Sequence, residues 1–181
     1  IGAKVTLHKK FETEKIFSAL EKQIYTFTVF VPTILETLLK DKNWHPNLFA
    51  SLKAITTGST IVSTDLIKKY EKNKIPIIQV YGSTETAPIA ICQNITEKRT
   101  PFGNVGRVAQ NNKAKIFDKN HKESNNNIIG EIGIKGKNLF SYYWEDKNKT
   151  RKAFINGWFM TGDFGKKDDN NQFYVLGRKE N

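Results

Sequence analysis

The stretch Ile75-Pro76-Ile77-Ile78-Gln79-Val80-Tyr81-Gly82-Ser83-Thr84-Glu85-Thr86-Ala87-Pro88 decides how this chain is read. Its opening run, Ile75–Val80, is short and apolar, as a buried strand is. Gln79–Pro88 (Q-V-Y-G-S-T-E-T-A-P) then packs an aromatic ring, a glycine, hydroxyls and a carboxylate into one turn. A turn of this kind suits a nucleotide with its metal. Tyr81 offers a flat face to a base, Gly82 lets backbone approach closely, and Thr84 can donate to a phosphate oxygen. Glu85 supplies a hard oxygen for a Mg²⁺ that bridges phosphates. The same residues also fit an ordinary strand-to-loop turn with Ser and Thr bonded to nearby backbone. On this segment alone the two readings are equally good.

Upstream, strand and helix patterns alternate. Val5–Leu7 reads as a strand, and Thr13–Gln23 as a helix with Ile16, Phe17, Leu20 and Ile24 on one face. Thr26–Val31 (T-F-T-V-F-V) is β-branched and aromatic, hence a buried strand. Pro32 fits the first turn of a helix whose apolar face is Ile34, Leu35, Leu38 and Leu39. Lys53–Thr57 reads as a third strand, and Ser63 or Thr64 can cap a helix carrying Leu66, Ile67 and Tyr70. Such alternation predicts parallel strands joined by crossover helices. Gly58-Ser59-Thr60 and Tyr81–Glu85 each follow a predicted strand. Ligands of open α/β sheets bind outside the carboxyl ends of the strands, so these two turns should share one edge and one pocket.

Downstream of about residue 95 the helical patterns largely disappear. Ala114–Asp118, Glu131–Lys135 and Phe173–Leu176 are short runs punctuated by Gly, Asn and Lys. Ile132 and Ile134 alternate with polar positions, which predicts half-exposed antiparallel strands. Asn125–Asn127 and Lys166–Asn171 read as loop tips. The expected fold class is α/β: a parallel sheet with flanking helices over 1–95, then a small antiparallel sheet or partial barrel over 96–176, packed against the first.

Composition narrows the function classes. The chain has 181 residues, 38% hydrophobic and 26% charged, with no apolar run near the roughly 18 residues that span a bilayer. Its net charge of +11 invites a nucleic-acid or anionic-lipid reading. Only Arg99, Arg107, Arg151 and Arg178 are arginine among 29 basic residues, and the lysines are spread along the whole chain. That bias is compositional rather than a clustered footprint, so no specific nucleic acid is expected as partner. Cys92 is the single cysteine, with apolar neighbours that predict a buried structural thiol and a reducing, cytoplasmic setting. His8, His45 and His121 stand singly, without metal-ligand spacing. With no initiator methionine and no signal-peptide pattern, the sequence reads as an internal fragment.

Two further blocks tip the balance at Tyr81–Glu85: Gly157–Asp163 (G-W-F-M-T-G-D) and Val175–Asn181 (V-L-G-R-K-E-N). Between them and Y-G-S-T-E lies Gly130–Gly136 (G-E-I-G-I-K-G), followed by Tyr142-Tyr143 and Thr150. In this order the blocks resemble the signatures of the adenylate-forming superfamily of acyl-CoA synthetases, luciferases and peptide-synthetase adenylation domains. The resemblance covers essentially the whole chain. It implies the C-terminal part of the large N-terminal domain of such an enzyme, with residues 177–181 forming a hinge to a further domain.

The implied reaction has two steps. A carboxylic acid attacks the α-phosphate of MgATP to give an acyl-adenylate, and coenzyme A then displaces AMP. By the resemblance, Tyr81 packs on adenine, Thr84 contacts phosphate, Glu85 holds Mg²⁺, and Gly82 borders the acyl pocket. Asp163 accepts from the ribose hydroxyls and Arg178 contacts the nucleotide. Trp158, Phe159 and Met160 are expected in the core. Tyr81, Glu85 and Asp163 should line one groove, with Arg178 at its edge.

The sequence also departs from the family. Gly58-Ser59-Thr60 stands where many relatives have G-G-A-P, which leaves mainly backbone of Gly58 and Ser59 to meet the adenine. Glu180 and Asn181 leave the hinge residue open. The family's phosphate loop and C-terminal lysine lie outside this sequence, so the fragment alone is expected to be inactive. An amino-acid-activating adenylation domain is the alternative within the family, although Ser83 replaces its usual proline. A basic RNA- or lipid-binding module is the alternative from another class.

Overall fold

The computed structural model describes residues 2–95 and 103–178. In chain order these form α1 (Thr13–Glu21), β1 (Phe27–Val29), α2 (Pro32–Lys40), β2 (Ala54–Thr57), α3 (Thr64–Lys72), β3 (Ile77–Tyr81) and β4 (Ile91–Cys92). There follow β5 (Asn104–Val108), β6 (Asn112–Phe117), β7 (Gly130–Gly136), α4 (Lys147–Ala153), β8 (Phe154–Ile155), β9 (Trp158–Lys167) and β10 (Phe173–Arg178).

The first part follows the alternating pattern. β1, β2 and β3 are parallel, with Phe27 opposite Ala54 and Ile55 opposite Ile77. Thr26–Val31 and Ile75–Val80 thus belong to one sheet, joined through β2. The faces of α1, α2 and α3 supply Ile16, Phe17, Leu20, Leu35, Leu38, Leu66 and Tyr70 to one core, beneath Ile55 and Ile77 of the strands. Pro32 occupies the first turn of α2, and Ser63 caps α3 by accepting from the Leu66 N–H at 3.2 Å. The Tyr70 hydroxyl donates to the Leu35 carbonyl at 2.8 Å, tying α3 to α2 inside the core.

The second half is antiparallel, as the sequence had led us to expect, but its strands continue the first sheet instead of lying against it. β4 pairs antiparallel with β3 and then with β5, so one strand order runs β1-β2-β3-β4-β5-β10-β9-β7-β6, with β8 beside β9. The apolar interior nevertheless divides, because Ala90, Ile91, Val105, Ile116, Ile132, Ile134, Phe173 and Val175 make a second cluster.

Several local expectations are corrected. Val5–Leu7 is no strand, and both Val5 and Leu7 are exposed. Ile24 lies beyond the end of α1 and is exposed rather than on its apolar face. β1 is an edge strand, not a buried one; Phe27 is 57% and Val29 74% exposed. β7 is buried on both faces from Gly130 to Ile134 instead of half-exposed. Gly133 faces Phe117 so closely that a Cβ would stand 2.4 Å from the ring, which is how that second face is filled. Lys166 and Lys167 are strand, and the loop tip is confined to the residues after them. Cys92 is half-buried. Glu180 and Asn181 lie outside the described residues.

Candidate nucleotide site

At the carboxyl ends of β2 and β3 lies a cavity of about 450 Å³. Gly58, Ser59 and Val62 from the turn after β2, and Tyr81 and Gly82 from the end of β3, form one side of it. Asp163 of β9 and Arg178 of β10 form the other. The two turns singled out in the sequence therefore meet at one pocket through Gly58–Thr60 and Tyr81–Gly82, while Glu85 does not line the same groove as Tyr81 and Asp163. Gly58 makes room for the neighbouring strand, since a Cβ there would stand 2.6 Å from the Val80 carbonyl oxygen. Ser59 adopts φ of +71°, an uncommon left-handed conformation for a residue with a side chain.

Two irregularities in the sheet aim Asp163 into the cavity. The β7–β9 register shifts between Glu131 and Gly133, and the β10–β9 register shifts between Val175 and Gly177. Bulges of this sort redirect side chains. Inside the bulge Gly162 takes φ of +74°, its N–H donates to Glu131 Oε1 at 3.1 Å, and Thr161 Oγ1 donates to the Ile132 carbonyl at 2.8 Å. The Asp163 N–H donates in turn to Thr161 Oγ1 at 3.2 Å. The Asp163 carboxylate is 13% exposed and carries two strong partners. Tyr81 Oη donates to Oδ2 at 2.6 Å, and Arg178 Nε lies 3.0 Å from Oδ1. Arg178 is itself the last residue of β10, directly opposite Asp163. Burial, followed by the Asp163 charge, pushes the Tyr81 phenol far above its ordinary range, so it remains a donor.

Thr84 and Glu85 are not in the lining of this cavity; they sit on the short 3₁₀ turn Thr84–Thr86 that leaves it. Thr84 is exposed. Glu85 is held from the second half of the chain: its carbonyl accepts from the Phe140 N–H at 2.9 Å, and its Oε1 accepts from Tyr143 Oη at 2.9 Å. Partial burial pushes the Glu85 carboxyl up, but the Ser83 hydroxyl, its own backbone, Tyr143 and the Lys149 charge outweigh it and hold the carboxyl below its usual value. The group is an anion at neutral pH. It fits a Mg²⁺ ligand, because a carboxylate offers about four acceptor positions and its partners in the protein do not fill them all.

Sequence reasoning missed several residues here. Thr86 is buried and locks the turn, with its Oγ1 accepting from the Ser83 N–H at 2.8 Å. Asn138 Nδ2 donates to the Thr86 carbonyl, and Phe140 packs on Tyr143 with ring centroids 4.7 Å apart. Tyr143 and Thr150 were visible as a pattern, and their contact is direct: the Tyr143 N–H donates to Thr150 Oγ1 at 2.9 Å. Gly82 borders the cavity, but its own loop is what excludes a side chain there. Phe159 belongs to the aromatic group around Phe140 and Phe154 and is not in the lining of this cavity.

A protein-family profile described as AMP-binding enzyme matches residues 1–144, and the chain belongs to that family. It is 37% identical over 179 residues to an indoleacetate–CoA ligase of Aromatoleum aromaticum, covering 99% of this chain and 35% of that enzyme. A 2-succinylbenzoate–CoA ligase of Listeria innocua is 32% identical, with 98% of this chain and 36% of that enzyme covered. Among solved structures, ATP-bound MatB from Rhodopseudomonas palustris superimposes with a TM-score of 0.88 at 28% identity, over 96% of this chain and 34% of that one. The o-succinylbenzoate CoA synthetase of Bacillus subtilis, in complex with ATP and magnesium ion, gives 0.85 at 26% identity, over 96% and 36%. The chain spans about a third of the length of the curated relatives it matches.

Proposed function

We propose that the intact protein is an ATP-dependent, AMP-forming acid–thiol ligase, activating a carboxylic acid as its adenylate and passing the acyl group to coenzyme A. The observation that carries this reading is the convergence of Tyr81, Asp163 and Arg178 on one cavity beside the Gly58–Ser59 turn. An aromatic face, a carboxylate and a guanidinium from three strands are what a ribonucleotide needs, and the relatives named above are CoA ligases. In this reading Tyr81 meets the base, with backbone of Gly58 and Ser59 at its edge and Gly82 beside the acyl group. Asp163 takes the ribose hydroxyls. Arg178 meets the ribose or phosphate side, and Thr84 donates to a phosphate oxygen. Glu85 would hold Mg²⁺, which when bound neutralises phosphate charge. Residues 1–95 and 96–176 are then two subdomains, with 177–181 as a hinge; the apolar clusters part somewhat earlier, since Ala90 and Ile91 belong to the second. We place the protein in the cytoplasm, the reducing setting that a stretch this sparing of cysteine fits. Among the described residues no helix is long and apolar enough to cross a membrane.

The chemistry asked of these residues is positioning and charge neutralisation, because AMP is a good leaving group where oxide is not. The test is ATP–pyrophosphate exchange by the intact protein against a panel of aryl, aliphatic and amino acids, with coenzyme A added in a second series. Exchange dependent on one class of acid, and thioester formation with coenzyme A, are expected. Exchange driven by amino acids alone would replace this reading with that of an amino-acid-activating domain.

A further inference from the structure

Base and sugar recognition meet in a single hydrogen bond of this site. Tyr81 Oη donates to Asp163 Oδ2 at 2.6 Å across 82 residues of sequence, while Arg178 Nε holds Oδ1 at 3.0 Å. A carboxylate has about four acceptor positions, two on each oxygen. The phenol and the guanidinium each take one, on different oxygens. One acceptor remains on each oxygen, a pair suited to the adjacent hydroxyls of a diol. The last torsion of an aspartate side chain is broad, so an untethered carboxylate would turn through many orientations. The Arg178 side chain is 62% exposed, which leaves the half-buried phenol as the firmer of the two tethers. Stacking on a base needs only the tyrosine ring; the hydroxyl is spent on the carboxylate.

We propose that Tyr81 is a positioning residue for ribose: its hydroxyl orients the Asp163 carboxylate so that both oxygens face the 2′- and 3′-hydroxyls of a bound nucleotide. This rests on the nucleotide reading above. It makes the strength of sugar recognition depend on a residue that touches the base.

The experiment compares ATP with 2′,3′-dideoxy-ATP by calorimetry on the intact protein, as wild type, Tyr81→Phe, Asp163→Ala and the double variant. The wild type is expected to prefer ATP. Tyr81→Phe keeps the ring and should lose about tenfold of that preference through weaker ATP binding, with dideoxy-ATP changed less than about twofold. Asp163→Ala should abolish the preference, and adding Tyr81→Phe to it should change nothing more. The nucleotide-induced shift in Tm, read against each variant's own unliganded Tm, makes the same comparison for a variant of lowered stability. Equal weakening of both nucleotides by Tyr81→Phe, an unchanged preference, or a variant that does not fold would overturn the proposal while leaving the nucleotide site standing. A wild type that binds neither nucleotide would overturn the nucleotide reading itself, and this proposal with it.

Discussion

A methyl group on residue 82 would stand 1.7 Å from the Pro88 carbonyl oxygen and 2.7 Å from Thr86 Oγ1. The turn after β3 folds back over its own glycine, so Gly82→Ala should cost about 3 kcal/mol as the loop is forced apart. Urea denaturation of the protein measures this, and a loss under about 0.5 kcal/mol, the size of an ordinary surface change, would contradict it. Glu85 is a different case, since the role proposed for it is charge. In the intact protein Glu85→Gln should lower the pyrophosphate-exchange rate by about ten- to a hundredfold with the fold intact by circular dichroism, because the anionic ligand proposed for Mg²⁺ is removed. Exchange at the wild-type rate across a range of Mg²⁺ concentrations would remove Glu85 from the metal site. Tyr81 could be picked out from the chemistry of its run, and Asp163 through the family resemblance of Gly157–Asp163. The bond between them could not. It exists only once β4, β5 and β10 have been placed between β3 and β9, and no local pattern announces that order.

Helix α4 shows where element-level reading runs out. Its sequence, K-N-K-T-R-K-A, has no apolar stripe, and none of its residues is buried. The helix is held instead by Asp146, whose carboxylate accepts from the Lys149 N–H at 2.8 Å, and by the Thr150 link to Tyr143. Periodicity finds helices that bury a face, as it found α1, α2 and α3; it passes over one built on caps. β1 failed for a related reason. Its residues have a buried strand's composition, but burial is set by position in the sheet, and β1 lies at the end of the strand order.

The segment around α4 also carries a pH dependence. Burial and the hydrogen bond to the Glu85 carboxylate push Tyr143 from 10.0 up to about 12. The folded state therefore keeps this proton where the unfolded chain has lost it. The stabilisation is complete below about pH 10 and disappears as the pH rises from there through about 12. Stability measured over that window should fall less steeply in Tyr143→Phe than in wild type. Identical slopes would mean the phenol and the carboxylate do not meet in solution.

At the scale of the whole molecule, two apolar clusters share one sheet, and the seam between them is polar. Gln93 Oε1 accepts from the Gln79 N–H at 2.9 Å, and Gln93 Nε2 donates to the Asn104 carbonyl at 3.0 Å. Asn104 Oδ1 accepts from the Gly106 N–H at 2.9 Å. Gln93 and Asn104 are both buried, so these side chains replace ladder bonds where β3, β4 and β5 change direction. Gln93→Ala should leave the Gln79 N–H unpaired and cost about 1–3 kcal/mol. Trp44 packs in the first cluster, and Trp158 stacks edge-on against Phe117 in the second half, so the two indoles report on opposite sides of the seam. With Trp144 replaced by Phe, single-tryptophan versions should show coincident unfolding midpoints in the parent and separated ones with Gln93→Ala. The sequence disclosed the apolar faces of α1, α2 and α3, but it could not disclose a seam made of side chains standing in for backbone.

The first strand has a practical bearing on handling this polypeptide. Among the described residues β1 pairs with β2 alone, and it presents Phe27 and Val29 to water. An open strand edge beside bare aromatic and branched side chains is a template on which another polypeptide can add a strand. Produced by itself at high concentration, this 181-residue chain should cling to copies of itself or to chaperones through that margin. Its yield, its light scattering and the sharpness of its gel-filtration peak would then be set by three residues at the sheet's rim, far from the pocket where its chemistry is assigned.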